Sequence, residues 1–277
     1  MDISGTCNLA CRDCYTKQSH EARLVKADGF RDTLTKFARS GAEFQKLHLN
    51  WRGEPMTNKK LPELLALRNE IMPGVPIEFH TNGTLLTPAN AAQIINQCIP
   101  EDLIYVSIDG GCKEAHEANR GADTWEPTLA GLEMLLDARD DAVPEKHPHL
   151  GIYEIFYDRR TRYDEELMRL SRRCASWMRV DVIKTDGEER PFTYVNLPQG
   201  PCFWAGNALC ITARGDVHVC LLSFRPDGKV GNIITDELAD IVGNARAFRE
   251  NITRCGRDSI AHCSGCQKTE GTIDEPE

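Results

Sequence analysis

The chain has 277 residues, enough for one large domain and a smaller appendage around a sizeable core. Its formal net charge of −9 denies it the basic face that a general nucleic-acid binder needs, so no nucleic acid is expected as a partner. No apolar run approaches the ~20 residues a bilayer requires. The opening Met1-Asp2-Ile3-Ser4-Gly5 has neither the basic start nor the apolar stretch of a signal peptide, so a cytoplasmic chain without a membrane is expected.

From about residue 21 to 184, amphipathic periodicity alternates with short apolar runs. Helical spacing covers 27–40, 58–71, 88–97, 125–138 and 161–175, with strand-like runs at 47–51, 76–80, 103–108, 150–156 and 180–183. Such alternation predicts parallel βα units, hence an α/β barrel or open wound sheet whose active residues gather where strands end. The Gly, Glu, Arg and Pro content of 185–202 reads as a linker, giving domains at 1–190 and 191–277. A β-hairpin is expected from Ala208 to Leu222, turning at Arg214-Gly215-Asp216, then a helix near 236–250 and a cysteine-rich tail.

Of twelve cysteines, three fall in the first fourteen residues and six after residue 200. Crowding at both ends of a chain without an export signal points to metal sites rather than disulfides. Cys7-Asn8-Leu9-Ala10-Cys11-Arg12-Asp13-Cys14 lets one loop wrap three thiolates around three irons of a cubane, leaving the fourth iron open. Structural zinc is the competing reading, but it needs a fourth ligand, and His20 is the obvious local candidate. Toward the other end, Cys202, Cys220, Cys263 and Cys266 could set four sulfurs at tetrahedral corners, for zinc or for a second [4Fe–4S] cluster.

The first motif resembles that of the radical S-adenosylmethionine (SAM) superfamily, and the resemblance covers nearly the whole chain. It implies a partial (β/α)6 barrel with a small C-terminal α+β iron–sulfur domain. The open iron would bind SAM, and the reduced cluster would cleave it to a 5′-deoxyadenosyl radical that abstracts a substrate hydrogen. Arg52-Gly53-Glu54-Pro55 resembles the family's Gly-Gly-Glu-Pro motif, where backbone and Glu54 would receive the SAM ammonium. Thr81-Asn82-Gly83 and Ser107-Ile108-Asp109-Gly110 resemble segments lining ribose and substrate, and His116 with Arg120 echoes a pattern in which the Arg approaches the SAM carboxylate. A solvated helix face is the plainer reading of His116 and Arg120. Asp13 stands where the family usually has an aromatic residue near adenine, and Tyr15 is the aromatic just after Cys14.

Cys-x12-Gly-x4-Cys from Cys202, the Gly231-Asn232-Ile233 strand and the closing Cys-x2-Cys look like SPASM and twitch domains. No cysteine follows Cys266, which fits the truncated single-cluster twitch form, with Cys255 as a substitute ligand. The resemblance thus implies two [4Fe–4S] clusters, SAM, and an electron donor such as flavodoxin or ferredoxin. The expected reaction is oxidation of a small polar substrate such as an aminocyclitol or sugar alcohol. Epimerisation with Cys112 or Cys255 as hydrogen donor, and peptide crosslinking, are the alternatives. Tyr153, Glu154, Tyr157, Arg159, Arg160 and Arg162 surround the end of the run at 150–156 and suit a polyhydroxy or charged substrate, with Tyr153 or Arg159 taking up a proton. A solvated loop is the competing reading there. A zinc-stapled binding module is the non-enzyme reading. Cys98, Cys174 and Cys210 read as structural.

Overall fold

The computed structural model describes residues 1–12, 14, 21–156, 162–181, 207–220 and 228–256. Five parallel strands form one sheet in sequential order: β1 (Leu47–His48), β2 (Ile77–Thr81), β3 (Leu103–Asp109), β4 (His149–Phe156) and β5 (Ser176–Asp181). Between them run α1 (Ala27–Arg39), which precedes β1, α2 (Leu61–Ile71), α3 (Pro88–Ile95), α4 (Lys113–Arg120), α5 (Trp125–Asp140) and α6 (Glu165–Ser171). Residues 2–6 extend the arc beyond β1: the Ile3 amide donates to Leu49 O, and Ile3 O accepts from Val25 N. This is the expected parallel α/β core of a partial barrel.

Local chemistry explains the elements. Phe30, Leu34 and Phe37 recur along one buried face of α1. Thr87 and Asn90 cap α3 reciprocally, with Pro88 at its first position. Asp164 Oδ1 accepts the amides of Glu166 and Leu167 to start α6. The sheet's two faces divide by strand alternation. Leu47, Ile77, Phe79, Ile104, Val106, Ile108, Leu150 and Ile152 are buried on the helix side. The register sets Tyr105 beside Gly151 and Ser107 beside Tyr153 on the other face, the barrel lumen.

Several boundaries differ from the sequence expectation. Strand β1 stops at His48, and beyond it the Asn50 side chain takes over by accepting the His80 amide. Strand β5 begins at Ser176 rather than 180: half-buried Trp177 and exposed Arg179 donate to the carboxylate of Glu154, so this stretch has no apolar alternation to read. Helix α4 agrees with a helix at His116 and Arg120 but not with its solvated face, and periodicity misses it: the residues it buries are His116 and Asn119, so it has no apolar stripe to read.

The C-terminal part holds an antiparallel sheet of β6 (Cys210–Ile211), β7 (Asp216–His218) and β8 (Lys229–Asn232), followed by α7 (Leu238–Cys255). The expected hairpin and its turn are present. Helix α7 runs five residues past the expected end, so Cys255 closes a helix instead of lying in a loose tail. The two parts touch directly. The Asp2 amide donates to Ile211 O, and Lys36 Nζ donates to Ile233 O at 2.8 Å and Asp236 O at 2.9 Å. The expected boundary at 190 lies outside the described residues.

Candidate active site

Cys7, Cys11 and Cys14 lie half-buried on the loop that leaves the N-terminal segment. Burial pushes the Cys7 thiol up to about 11, opposed by the Leu9 amide and reinforced by Glu54, Cys11 and Cys14. Burial also raises Cys11, against the pull of the Arg120 guanidinium. The loop is anchored from both sides. Asn82 Nδ2 donates to Asn8 Oδ1 at 2.9 Å, Asn8 Nδ2 to Thr84 Oγ1 at 2.9 Å, and the Arg12 amide to Asn119 O at 2.7 Å.

The donor set fits a cluster. Three half-buried thiols on one short loop, one of them beside the Arg120 guanidinium, suit three irons of a cubane.

Arg52-Gly53-Glu54-Pro55 lies against this loop. A Cβ on Gly53 would sit 2.2 Å from Ser4 O and 2.6 Å from Thr6 O, so only glycine permits this approach. The Glu54 amide donates to Thr6 O at 2.8 Å. The Glu54 carboxylate is buried and held by Met56 N at 3.0 Å, Thr81 Oγ1 at 2.7 Å and Asn82 N at 2.7 Å. Burial raises its pKa, and those three donors oppose the rise. Glu54 is thus a brace joining this turn to the end of β2, and Pro55 opens a short 3-10 turn after it. Arg52, in place of the family's first Gly, stacks its guanidinium over Trp51 at 4.0 Å.

Asp109 ends β3 on the lumen face. It accepts Arg120 Nε at 2.8 Å, Arg120 Nη2 at 3.0 Å and Asn119 Nδ2 at 2.6 Å. The Asp109 amide donates to His116 Nδ1 at 3.2 Å. That fixes the ring proton on Nε2, which faces Thr128 Oγ1 at 3.5 Å, and Thr128 in turn donates to Asn82 O at 3.0 Å. His116 is fully buried and Arg120 is committed to Asp109, so the solvated-face reading of these two residues is wrong.

The residues around the end of β4 do not act as one cluster. Ser107 and Tyr153 face the lumen, where Tyr153 meets the His80 ring edge-on at 4.6 Å. Glu154 points to the opposite face and is buried against Tyr163 OH, Trp177 Nε1 and Arg179 Nε. Alternation within a strand separates these neighbours, so Glu154 is a structural carboxylate. Arg162 is exposed. Cys112 is half-buried at the start of α4, Cys255 is exposed, and Cys220 is half-buried just after β7. Burial pushes Cys210 up to about 12, as suits a structural thiol. Asp13, Tyr15, Tyr157, Arg159, Arg160, Cys202, Cys263 and Cys266 lie outside the described residues.

Sequence reasoning overlooked Asp2. Its carboxylate, 1% exposed, accepts the amides of Trp51 at 2.6 Å and Arg52 at 2.8 Å, and burial raises it to about 6. Nothing in the local sequence marks it, because its partners are fifty residues away.

Residues 1–183 match the model of the radical SAM superfamily, and residues 202–267 that of SPASM, an iron–sulfur cluster-binding domain. Mycofactocin maturase MftC of Mycobacterium ulcerans (strain Agy99) is 25% identical over 309 residues, spanning 96% of this chain and 80% of that protein. The serine-type anaerobic sulfatase-maturating enzyme of Klebsiella aerogenes is 31% identical over 147 residues, 48% of this chain and 35% of its own length. Among solved structures, anSMEcpe with bound AdoMet superposes with a TM-score of 0.67 at 14% identity, covering 95% of this chain and 86% of that one. BtrN in complex with AdoMet and 2-DOIA gives 0.59 at 15%, covering 96% and 91%. At such identities the structures speak for the fold. The cofactors that the two matched domains imply, [4Fe–4S] clusters and SAM, are those the cysteine-bearing ends suit. The chain belongs to the radical SAM superfamily.

Proposed function

We propose that this chain is an oxidative maturase, removing hydrogen from an unactivated carbon of a peptide. The observation that carries this reading is the relationship to mycofactocin maturase, which runs through 96% of the chain. Cys7, Cys11 and Cys14 would hold the first cluster, and Cys202, Cys220, Cys263 and Cys266 the auxiliary one. When bound, the first cluster and SAM supply hydrogen-atom abstraction, and the auxiliary cluster an electron sink.

The chain's own residues position that chemistry. Glu54 and Asp2 clamp the Arg52–Pro55 turn against the cysteine loop, so its backbone oxygens are pre-set for the SAM ammonium. Asp109 holds Arg120 beside Cys11, and Thr81 and Asn82 fix the end of β2. Tyr153 and Ser107 would meet the substrate from the lumen.

A second reading, oxidation of a small polar alcohol, is favoured by a specific feature: the lumen beneath the site is lined by His80, Tyr105 and Tyr153, a compact polar set.

Anaerobic reconstitution followed by reductant-dependent 5′-deoxyadenosine assay tests the core claim. Replacing Cys7, Cys11 and Cys14 together by Ala should lower iron from about eight to about four atoms per chain and abolish deoxyadenosine formation. Deoxyadenosine that persists in the triple variant would sink it. Candidate peptides encoded beside the gene should lose two hydrogens by mass spectrometry. In deuterated water, label in a product of unchanged oxidation state would instead indicate epimerisation through Cys112 or Cys255.

A further inference from the structure

We propose that His48, Glu78 and His80 form a binding site for one divalent ion of the zinc class on the lumen face of the sheet. None of its ligands is a cysteine. His48 and Glu78 are direct register partners on the parallel strands β1 and β2, and His80 is two residues beyond Glu78. Strand alternation therefore points all three side chains to one face. Because the backbone ladder holds their Cα atoms, the set is preorganised by the sheet.

The distances suit a metal better than hydrogen bonds. Glu78 Oε1 lies 3.5 Å from His48 Nδ1 and 3.3 Å from His80 Nε2, and one ligand atom from each of the three residues lies within 4.8 Å of the other two. Hydrogen bonds between nitrogen and carboxylate oxygen are usually shorter, about 2.7–2.9 Å when charge-assisted. A tetrahedral ion with bonds of about 2.0–2.1 Å has ligand–ligand edges of about 3.3–3.4 Å. Two imidazoles and one carboxylate are a recurrent donor set for zinc and its neighbours. The second oxygen, Glu78 Oε2, is paired with Lys46, a cation that competes with the ion for this carboxylate. The rings are also fixed, His48 stacking on His80 at 5.3 Å and His80 packing on Tyr105 at 5.0 Å.

An ion can reach this place, since the side chains of His48 and His80 are 39% and 18% exposed. Three protein ligands leave a fourth position for water or for an oxygen of the substrate, so the ion would anchor one polar end of a substrate in the lumen.

The test uses anaerobically reconstituted holoprotein, washed with a mild chelator, titrated with zinc and desalted. Metal analysis should find about one zinc per chain in addition to cluster iron. Zinc K-edge absorption should show a nitrogen–oxygen shell at about 2.0–2.1 Å with no sulfur. His48→Ala and His80→Ala should each weaken zinc binding by about 100-fold at unchanged iron content and circular dichroism. Lys46→Ala, which removes a competing cation from Glu78, should tighten it several-fold, a gain that misfolding cannot produce. Failure of the wild type to retain zinc, a sulfur-containing shell, or equal retention by both His variants would overturn the proposal.

Discussion

Gly53 shows how much of this site depends on an absent side chain. A methyl there would collide with Ser4 O and Thr6 O, the backbone that leads into the cysteine loop. Gly53→Ala should therefore leave the fold and iron content in place but cut deoxyadenosine formation by about 100-fold, as a shift of about 1 Å at a reacting centre does. A near-normal rate in the same assay would show that the segment can move aside. His116 permits a pH prediction. Burial lowers its pKa from 6.5 to about 4, so the folded ring stays neutral where the unfolded ring is already protonated. Stability from this residue is full above pH 6.5 and lost as pH falls toward 4, amounting to about 3 kcal/mol at most. Denaturant midpoints of wild type and His116→Gln should therefore converge between pH 7 and pH 5. Parallel midpoints would assign the loss to other groups.

At the scale of elements, the strongest polar joint is Arg68 with Asp102, both fully buried. Arg68 on α2 donates to Asp102 Oδ1 and to Val75 O, each at 2.7 Å. Asp102 also accepts the amides of Ile77 at 2.8 Å and Ile99 at 2.9 Å. One carboxylate thereby ties a helix, the start of β2 and the turn before β3. Arg68→Met should cost about 3–5 kcal/mol in chemical denaturation, because it strands a buried charge; a cost below about 1 kcal/mol would mean that water or another cation reaches Asp102. Helix α5 approaches the Thr81-Asn82-Gly83 turn so closely that a Cβ on Gly131 would lie 2.2 Å from Gly83 O. The order of strands and helices was legible from periodicity, since apolar faces repeat at the expected spacing. Helix α4 was not, because it buries a His and an Asn that serve Asp109 rather than a core.

Across the whole molecule, the C-terminal sheet is fastened to the barrel through a few polar contacts. Lys36 on α1 reaches two carbonyls near the start of α7, Arg214 Nε pairs with Glu21 at 3.2 Å, and Trp51 meets His218 edge-on at 5.9 Å. The auxiliary part thus leans on residues beside the Arg52–Pro55 turn. Lys36→Ala should speed hydrogen exchange in β8 and the first turn of α7 while β2–β4 keep wild-type protection. Unchanged exchange there would show that Asp2 and Ile211 suffice. No helix among the described residues is long and apolar enough to cross a membrane.

The spacing of Cys7, Cys11 and Cys14 and the order of the strand-end motifs were determined by sequence alone, because a short loop and a strand terminus are local. The family followed from them. Only the tertiary structure decided what the distant partners do. It tied Glu54 to the end of β2 through Thr81 and Asn82, placed Glu154 on the far side of the sheet from Tyr153, and brought Asp2 to the amides of Trp51 and Arg52. It also set His48 beside Glu78 and His80, a relation fixed by the register of two strands thirty residues apart in sequence. Register and burial are properties of the folded sheet, and no linear spacing carries them.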